Sequence, residues 1–256
     1  MSEHIRVERD NGIGIITIDR PAKLNAMTPE MATALVAAVT GFNTDDAIRC
    51  VILTGAGEKA FCAGSDISVL DSYATPWDFR NRPDYCDAIR ALLKPSIAAI
   101  NGYAFGGGLE TAMACDIRIA SDNASFAAPE IKLGWIGGGG MATNLAHAVG
   151  PSNAALMIMT GDPIDAATAE RWGLVSRLVP QASLLEEARR IATSIAARAP
   201  IAAETAKLNL RAAWDLTLAD AIAYERDLQT ICFATEDATE GRAAFKEKRP
   251  AVFRRK

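Results

Sequence analysis

The stretch that most constrains this chain is PSIAAINGYAFGGGLETAMACDIRIAS, residues 95–121. The short apolar runs SIAAING and DIRIAS stand at its two ends and read as buried-type strands. Between them, Gly106, Gly107 and Gly108 precede the helical run LETAMA directly. A chain that spends its most permissive residues just before a helix is making either a tight turn or a place where backbone must approach something closely. A helix starting there leaves its first N–H groups unpaired and its positive end exposed. Such an end suits negative charge on an oxygen, and Glu110 sits in the first turn. The dipole favours a glutamate there whether or not it does chemistry, so residues 101–116 alone leave both readings open.

The rest of the chain extends this alternation. IRVERDNGIGIITIDR reads as a hairpin around Asn11-Gly12, because a type I′ turn needs positive φ at both central positions. TPEMATALVAAVTGF follows as a helix, with Thr28 as N-cap and Pro29 at the first helical position. RCVILTG is a further buried-type strand. Strands and helices alternate to about Pro180, which predicts α/β layering. Beyond it, Leu184, Ala188, Ile191, Ala192 and Ile195, then Leu208, Leu210, Trp214 and Leu218, keep helical spacing, and the tail reads as all-helical. We expect an α/β core over residues 1–199 and a helical piece over residues 200–256.

Composition narrows the function classes. Half of the residues are hydrophobic, 23% are charged and the net charge is −4, so no nucleic-acid or anionic membrane surface is indicated as the main partner. Cys50, Cys62, Cys86, Cys115 and Cys232 are odd in number and scattered, which reads as reduced thiols in a cytoplasmic setting rather than a disulfide framework or zinc site. Two histidines, His4 and His147, exclude a His-rich metal site. No signal-peptide-like segment opens the sequence, and no apolar run is long enough to span a bilayer.

Four motifs carry possible chemistry. Gly55-x-Gly57-x-x-Ala60 fits a loose dinucleotide fingerprint, but FCAGSDI follows it with no helical periodicity, so the nucleotide reading is set aside. FCAGSDI, residues 61–67, is either a glycine turn or a loop presenting a backbone N–H beside a ligand. GGGLE is the helix start described above. In ASFAAPEIKLGWIGGGG, Glu130 lies among Phe126, Ile131, Leu133 and Trp135. An apolar setting raises a carboxyl pKa and suits proton transfer near neutrality, whereas a turn Glu facing solvent is the plain alternative. The four glycines at 137–140 are either a mobile loop or a ligand-facing wall.

In order along nearly the whole chain, RPAKLNAM, VILTGAGEKAFCAGSDI, KPSIAAINGYAFGGGLETAMACDIRIAS, ASFAAPEIKLG, MTGDPIDAATAERWGLVSRLV and EGRAAFKEKRPAVF resemble the enoyl-CoA hydratase/isomerase (crotonase) superfamily, and within it the 2-enoyl-CoA hydratases. The resemblance implies a spiral of ββα turns with a C-terminal all-helical trimerisation domain, assembled as a homotrimer or a dimer of trimers. It implies an acyl-CoA substrate, no cofactor beyond the coenzyme A carried by that substrate, and no nucleic-acid or membrane partner. The family's two oxyanion N–H groups map onto Ala63 and Gly107, and its two acids onto Glu110 and Glu130. Glu110 would act as base towards water, and Glu130 would deliver a proton to the α-carbon. Coenzyme A would lie along Lys23, Leu24, Ala26, Gly64, Ser65, Asp66 and Ile67, with Trp135 and Gly138 on the acyl wall. Phe245 and Lys248 are either a nucleotide contact or a solvated basic helix end.

Two stretches depart from the family pattern. IGGGGMATNL has Gly137 where a proline is usual and Met141 where a glycine is usual, which predicts a permissive loop by the acyl chain. Tyr73, Trp77, Phe79, Tyr85, Arg80 and Arg82 in residues 71–90 hint at a polar or aromatic acyl group. A carnitinyl-CoA-type dehydratase, a Δ3-Δ2 enoyl-CoA isomerase or a thioester hydrolase are the neighbouring enzyme readings. RNA binding, known within the superfamily, is the alternative from another class, and the net acidic charge speaks against it.

Overall fold

A computed structural model describes residues 2–256. Strands β1 (Ile5–Asp10) and β2 (Ile13–Ile18) form the expected hairpin, with Asn11 and Gly12 at φ 49° and 84° and Asp10 opposite Ile13. Thr28 caps helix Pro29–Asn43 by accepting the Met31 N–H at 3.4 Å. That helix feeds β3 (Cys50–Gly55), which lies parallel to β2.

From β3 onward the chain winds as a spiral. The remaining strands are β4 (Ala60–Cys62), β5 (Ser96–Ile100), β6 (Tyr103–Phe105), β7 (Ile117–Ser121), β8 (Ser125–Ala127), β9 (Ile164–Asp165) and β10 (Arg177–Val179). One sheet has the order β1-β2-β3-β5-β7-β10 and the other β4-β6-β8-β9. Each turn sends one strand to the first sheet and the next to the second: β3 then β4, β5 then β6, β7 then β8. Ala60 opens a strand rather than a helix, so the glycines at 55 and 57 join two strands. Passage from one sheet to the other needs close backbone approaches. At Gly102 a Cβ would collide with the Lys59 carbonyl.

The main core lies between the two sheets and the helices packed on them, around Phe42, Phe61, Phe126 and Leu145. A second cluster covers the other face of the larger sheet. There Leu184, Ala188 and Ala192, one stripe of helix Leu184–Ala196, pack on Ile13, Ile52, Ile97 and Ile119. The stripe follows the i, i+4, i+8 spacing that the sequence shows.

Helices Pro200–Asp215, Leu218–Phe233 and Glu236–Glu247 complete the chain. Buried charges tie the first of them to the starts of β5 and β7 in the larger sheet. Lys207 Nζ meets Asp116 at 2.8 Å and donates to the Lys94 carbonyl at 2.8 Å, while Lys94 Nζ reaches Glu204 at 3.0 Å. Among the described residues no helix is long and apolar enough to cross a membrane.

Candidate active site

Helix Gly107–Ala114 starts where β6 leaves the smaller sheet, and its three leading glycines each answer a different neighbour. Gly106 adopts φ 54°, and a Cβ there would stand 2.9 Å from Glu130 Oε1. A Cβ on Gly107 would overlap the Tyr85 hydroxyl, and one on Gly108 would overlap the Cys62 carbonyl. The triplet is therefore a packing requirement, which also brings the bare helix N-terminus against β4 and the loop after it.

In that loop the amide expected to meet a ligand is already in use. The Ala63 N–H is not free to meet a ligand, because it donates to the Leu24 carbonyl at 3.0 Å. Its neighbour Ser65 forms a parallel bridge with Met27. Met27 N–H donates to Gly64 O and Asp66 N–H to Met27 O, both at 2.8 Å, which turns the Ser65 N–H to the opposite side. Among the described residues the Ser65 N–H has no acceptor, and neither has the Gly107 N–H at the first helical position. The two are close: a Cβ on Gly64 would lie 3.2 Å from Gly107 N. Ser65 and Gly107, rather than Ala63 and Gly107, carry the paired free amides.

Both glutamates are buried, Glu110 at 5% and Glu130 at 9% exposure. They line one cleft of about 730 Å3 together with Ala63, Gly64, Ser65, Ile67, Gly107, Trp135 and Gly138. Glu110 Oε1 accepts two backbone N–H groups, from Gly139 at 2.8 Å and Met141 at 3.0 Å. Burial pushes its pKa above the ordinary carboxyl value. The Gly139 bond pulls back, the Glu130 charge pushes further up, and the Met141 bond pulls back again. Burial likewise raises Glu130. Its Oε2 is buried and meets no hydrogen-bond partner, which is costly for a carboxylate unless a bound molecule supplies one.

Of the two readings open for the glycines at 137–140, the geometry matches the wall, since Gly137 and Gly138 line the cleft. A Cβ on Gly137 would lie 2.8 Å from Glu110 Oε1, and one on Gly139 would lie 2.7 Å from Oε2 and 2.9 Å from Cys86 Sγ. Glycine is needed there because the backbone itself grips Glu110.

Other predicted contacts fall outside the cleft lining. Asp66 caps helix Ile67–Leu70 and pairs with Arg20 at 2.7 Å. Its Ser68 and Arg20 hydrogen bonds hold its carboxyl down at about 2. Both of its carboxylate oxygens are thus engaged within the chain. Leu24, in the left-handed region at φ 51°, lines a separate pocket of about 330 Å3 with Asn25, Lys59 and Ala60. Lys23 is exposed and Ala26 half-buried beside it. Phe245 is 86% exposed, and Lys248 forms the left-handed C-cap of the last long helix. Of the residues flagged at 71–90, Phe79, Arg80, Arg82 and Tyr85 line the cleft, while Trp77 is a solvent-exposed helix residue. Tyr85 is buried, and its hydroxyl shares a 2.9 Å hydrogen bond with Ser65 Oγ.

A family model described as enoyl-CoA hydratase/isomerase matches residues 8–256. The mitochondrial enoyl-CoA hydratase of Pongo abelii is 42% identical, over 96% of this chain and 85% of that protein. The crotonyl-CoA hydratase of Syntrophomonas wolfei is 37% identical over 98% of both. A crystal structure of the Bacillus anthracis enoyl-CoA hydratase superposes with a TM-score of 0.93 at 35% identity, covering 99% of this chain and 100% of that one.

Proposed function

Since the chain belongs to the enoyl-CoA hydratase/isomerase family, we propose that it is an enoyl-CoA hydratase, adding water reversibly across the double bond of a 2-enoyl-CoA thioester. The observation that carries this reading is the pair of buried carboxylates in one cleft, Glu110 and Glu130, with Glu130 Oε2 left unpartnered beside two free backbone amides.

The thioester carbonyl oxygen accepts hydrogen bonds from the Ser65 and Gly107 N–H groups. Electron density moves onto that oxygen as the nucleophile adds to the β-carbon, and fixed amide donors stabilise it without reorganising. Glu110, held through Oε1 by Gly139 and Met141, keeps Oε2 for the attacking water. It takes one water proton as the oxygen bonds to the β-carbon. Glu130 gives its proton to the α-carbon, completing the 3-hydroxyacyl thioester. Raised carboxyl pKa values suit this exchange near neutral pH, and the Glu130 charge adds to the rise at Glu110. The chemistry calls on no group beyond these residues and the substrate's own coenzyme A.

Gly64 and Ile67 form the near wall for the pantetheine arm, and Lys23 with Leu24 the outer edge. Trp135 and Gly138 face the acyl chain. The polar side chains Arg80, Arg82 and Asp84 in the same lining favour a second, related reading. In it the reaction runs as a dehydration of a polar acyl-CoA, of the carnitinyl-CoA type. The exposed leucines and aromatics of residues 200–256 support a homotrimer or dimer of trimers built through that helical domain, in a cytoplasmic enzyme.

The test is turnover of a panel of enoyl-CoA and 3-hydroxyacyl-CoA thioesters, followed by mass change of one water. Replacing either acid, Glu110→Gln or Glu130→Gln, is expected to lower kcat by about 100- to 10,000-fold. Wild-type rates from both variants would refute the two-acid mechanism. Double-bond migration with no change of mass would instead point to an isomerase.

A further inference from the structure

The loop that grips Glu110 has almost no side chains with which to hold itself. Residues 137–140 are all glycine, yet the backbone presents two N–H groups to one carboxylate oxygen. A free glycine run has many conformations of similar energy, so something outside it selects this one. The donors belong to the peptide groups on either side of the peptide joining Gly139 to Gly140. That middle peptide is the one held by a side chain: Arg90 Nη1 donates to the Gly139 carbonyl at 2.7 Å, while the next carbonyl, of Gly140, accepts the Asn144 N–H of the following helix at 3.0 Å.

Arg90 closes helix Tyr85–Arg90, and it is itself fixed at both ends. Its guanidinium pairs with Asp87 one turn earlier, through Nε at 3.1 Å and through Nη2. Its own carbonyl accepts from Arg211 Nη1 at 2.8 Å, across from helix Pro200–Asp215. A charge-assisted bond to a carbonyl is directional and stronger than a neutral one.

We infer that Arg90 is a positioning residue for Glu110, acting through the Gly139–Gly140 peptide, and that Asp87 and Arg211 hold Arg90 in register from the cleft wall and from the C-terminal helix. This rests on Glu110 being the base of the proposed reaction. Arg90 is not among the residues that line the cleft. It fixes the peptide whose flanking N–H groups orient Glu110 Oε1, and so leaves Oε2 aimed at water. A misplacement of about 1 Å in such a group costs on the order of 100-fold in rate.

A double-mutant cycle on the full-length protein tests it, with kcat and KM measured on one enoyl-CoA. Arg90→Met is expected to lower kcat by about 10- to 100-fold with KM changed by less than about twofold, the pattern of a loss felt in the transition state. Arg90→Lys, which keeps one charged donor, is expected to recover most of the rate. In the Glu110→Gln background Arg90→Met should lower kcat no further, because it has no ionised base left to orient. Asp87→Asn is the variant that does not threaten folding, since the Asp87 side chain is 71% exposed. It is expected to give a smaller kcat loss, again absent from the Glu110→Gln background.

Equal fold-losses in both backgrounds, a loss confined to KM, or no loss in either Arg90→Met or Asp87→Asn would each overturn the inference. Wild-type kcat from Glu110→Gln alone is a different result. It removes Glu110 as the base, and the inference falls with the reading beneath it.

Discussion

Glu130 sits in a position that a stable fold would avoid. A buried carboxylate oxygen with no donor destabilises the ionised form, and burial raises its pKa accordingly. The consequence for stability has a definite sign. A carboxyl whose folded pKa lies above its unfolded value binds more protons in the native state between those two values. Unfolding free energy therefore falls as pH rises through that window, and the full cost is present once the group is ionised in both states. Glu130→Gln cannot ionise. It is expected to melt higher than the wild type at pH 8, with the advantage shrinking to nothing below about pH 4, where the unfolded glutamate is also protonated. Denaturant midpoints across that range measure it. A variant less stable than wild type at pH 8 would mean that Glu130 contributes a contact worth more than its burial costs. Glu110 carries a cost of the same sign, offset in part by the two N–H bonds to one of its oxygens.

At the scale of the element, helix Gly107–Ala114 separates stability from chemistry at adjacent positions. A Cβ on Gly108 meets backbone, the Cys62 carbonyl, which cannot move without displacing β4. Gly108→Ala is expected to cost about 3 kcal/mol by overpacking, read as a lower denaturation midpoint. A Cβ on Gly107 meets the tip of Tyr85 instead. Gly107→Ala should cost less stability but lower kcat at least about tenfold by disturbing a free amide. Equal stability losses would place both glycines in packing alone. The element pattern itself was legible in sequence, because its signals are local: Asn11-Gly12 for the hairpin, Thr28-Pro29 for a helix start, apolar spacing for helix Leu184–Ala196. What sequence did not reveal depends on contacts between distant segments. The choice between Ala63 and Ser65 turns on the Met27–Ser65 bridge, nearly forty residues apart in the chain. The glycine run at 137–140 read as permissive backbone, and only the packed structure shows it clamped on Glu110. Asp66 is adjacent in sequence to the ligand-facing loop but is committed to Arg20.

For the whole molecule, the last three long helices pose an imbalance. Helix Leu218–Phe233 buries Leu228 alone, while Leu218, Ile222, Ile231 and Phe233 stand exposed, as do Leu210 and Trp214 on the preceding helix. Apolar surface on this scale is stabilising only when covered, and helix Leu218–Phe233, with one buried side chain, leaves most of its apolar residues uncovered by its own chain. Association with further copies, as in the proposed trimer, would supply the missing cover. Leu210 also neighbours Arg211, whose bond to the Arg90 carbonyl runs towards the site, so assembly would stiffen the helix from which that bond is made. Leu210→Asp combined with Leu218→Asp changes two exposed positions and leaves the buried core untouched. In sedimentation velocity at micromolar concentration the wild type should run as several copies and the double variant as one, with kcat falling alongside. A wild type that sediments as a single chain at every concentration would sink the assembly proposal. A dissociated variant with unchanged kcat would show that the helix holds Arg90 without help from its neighbours.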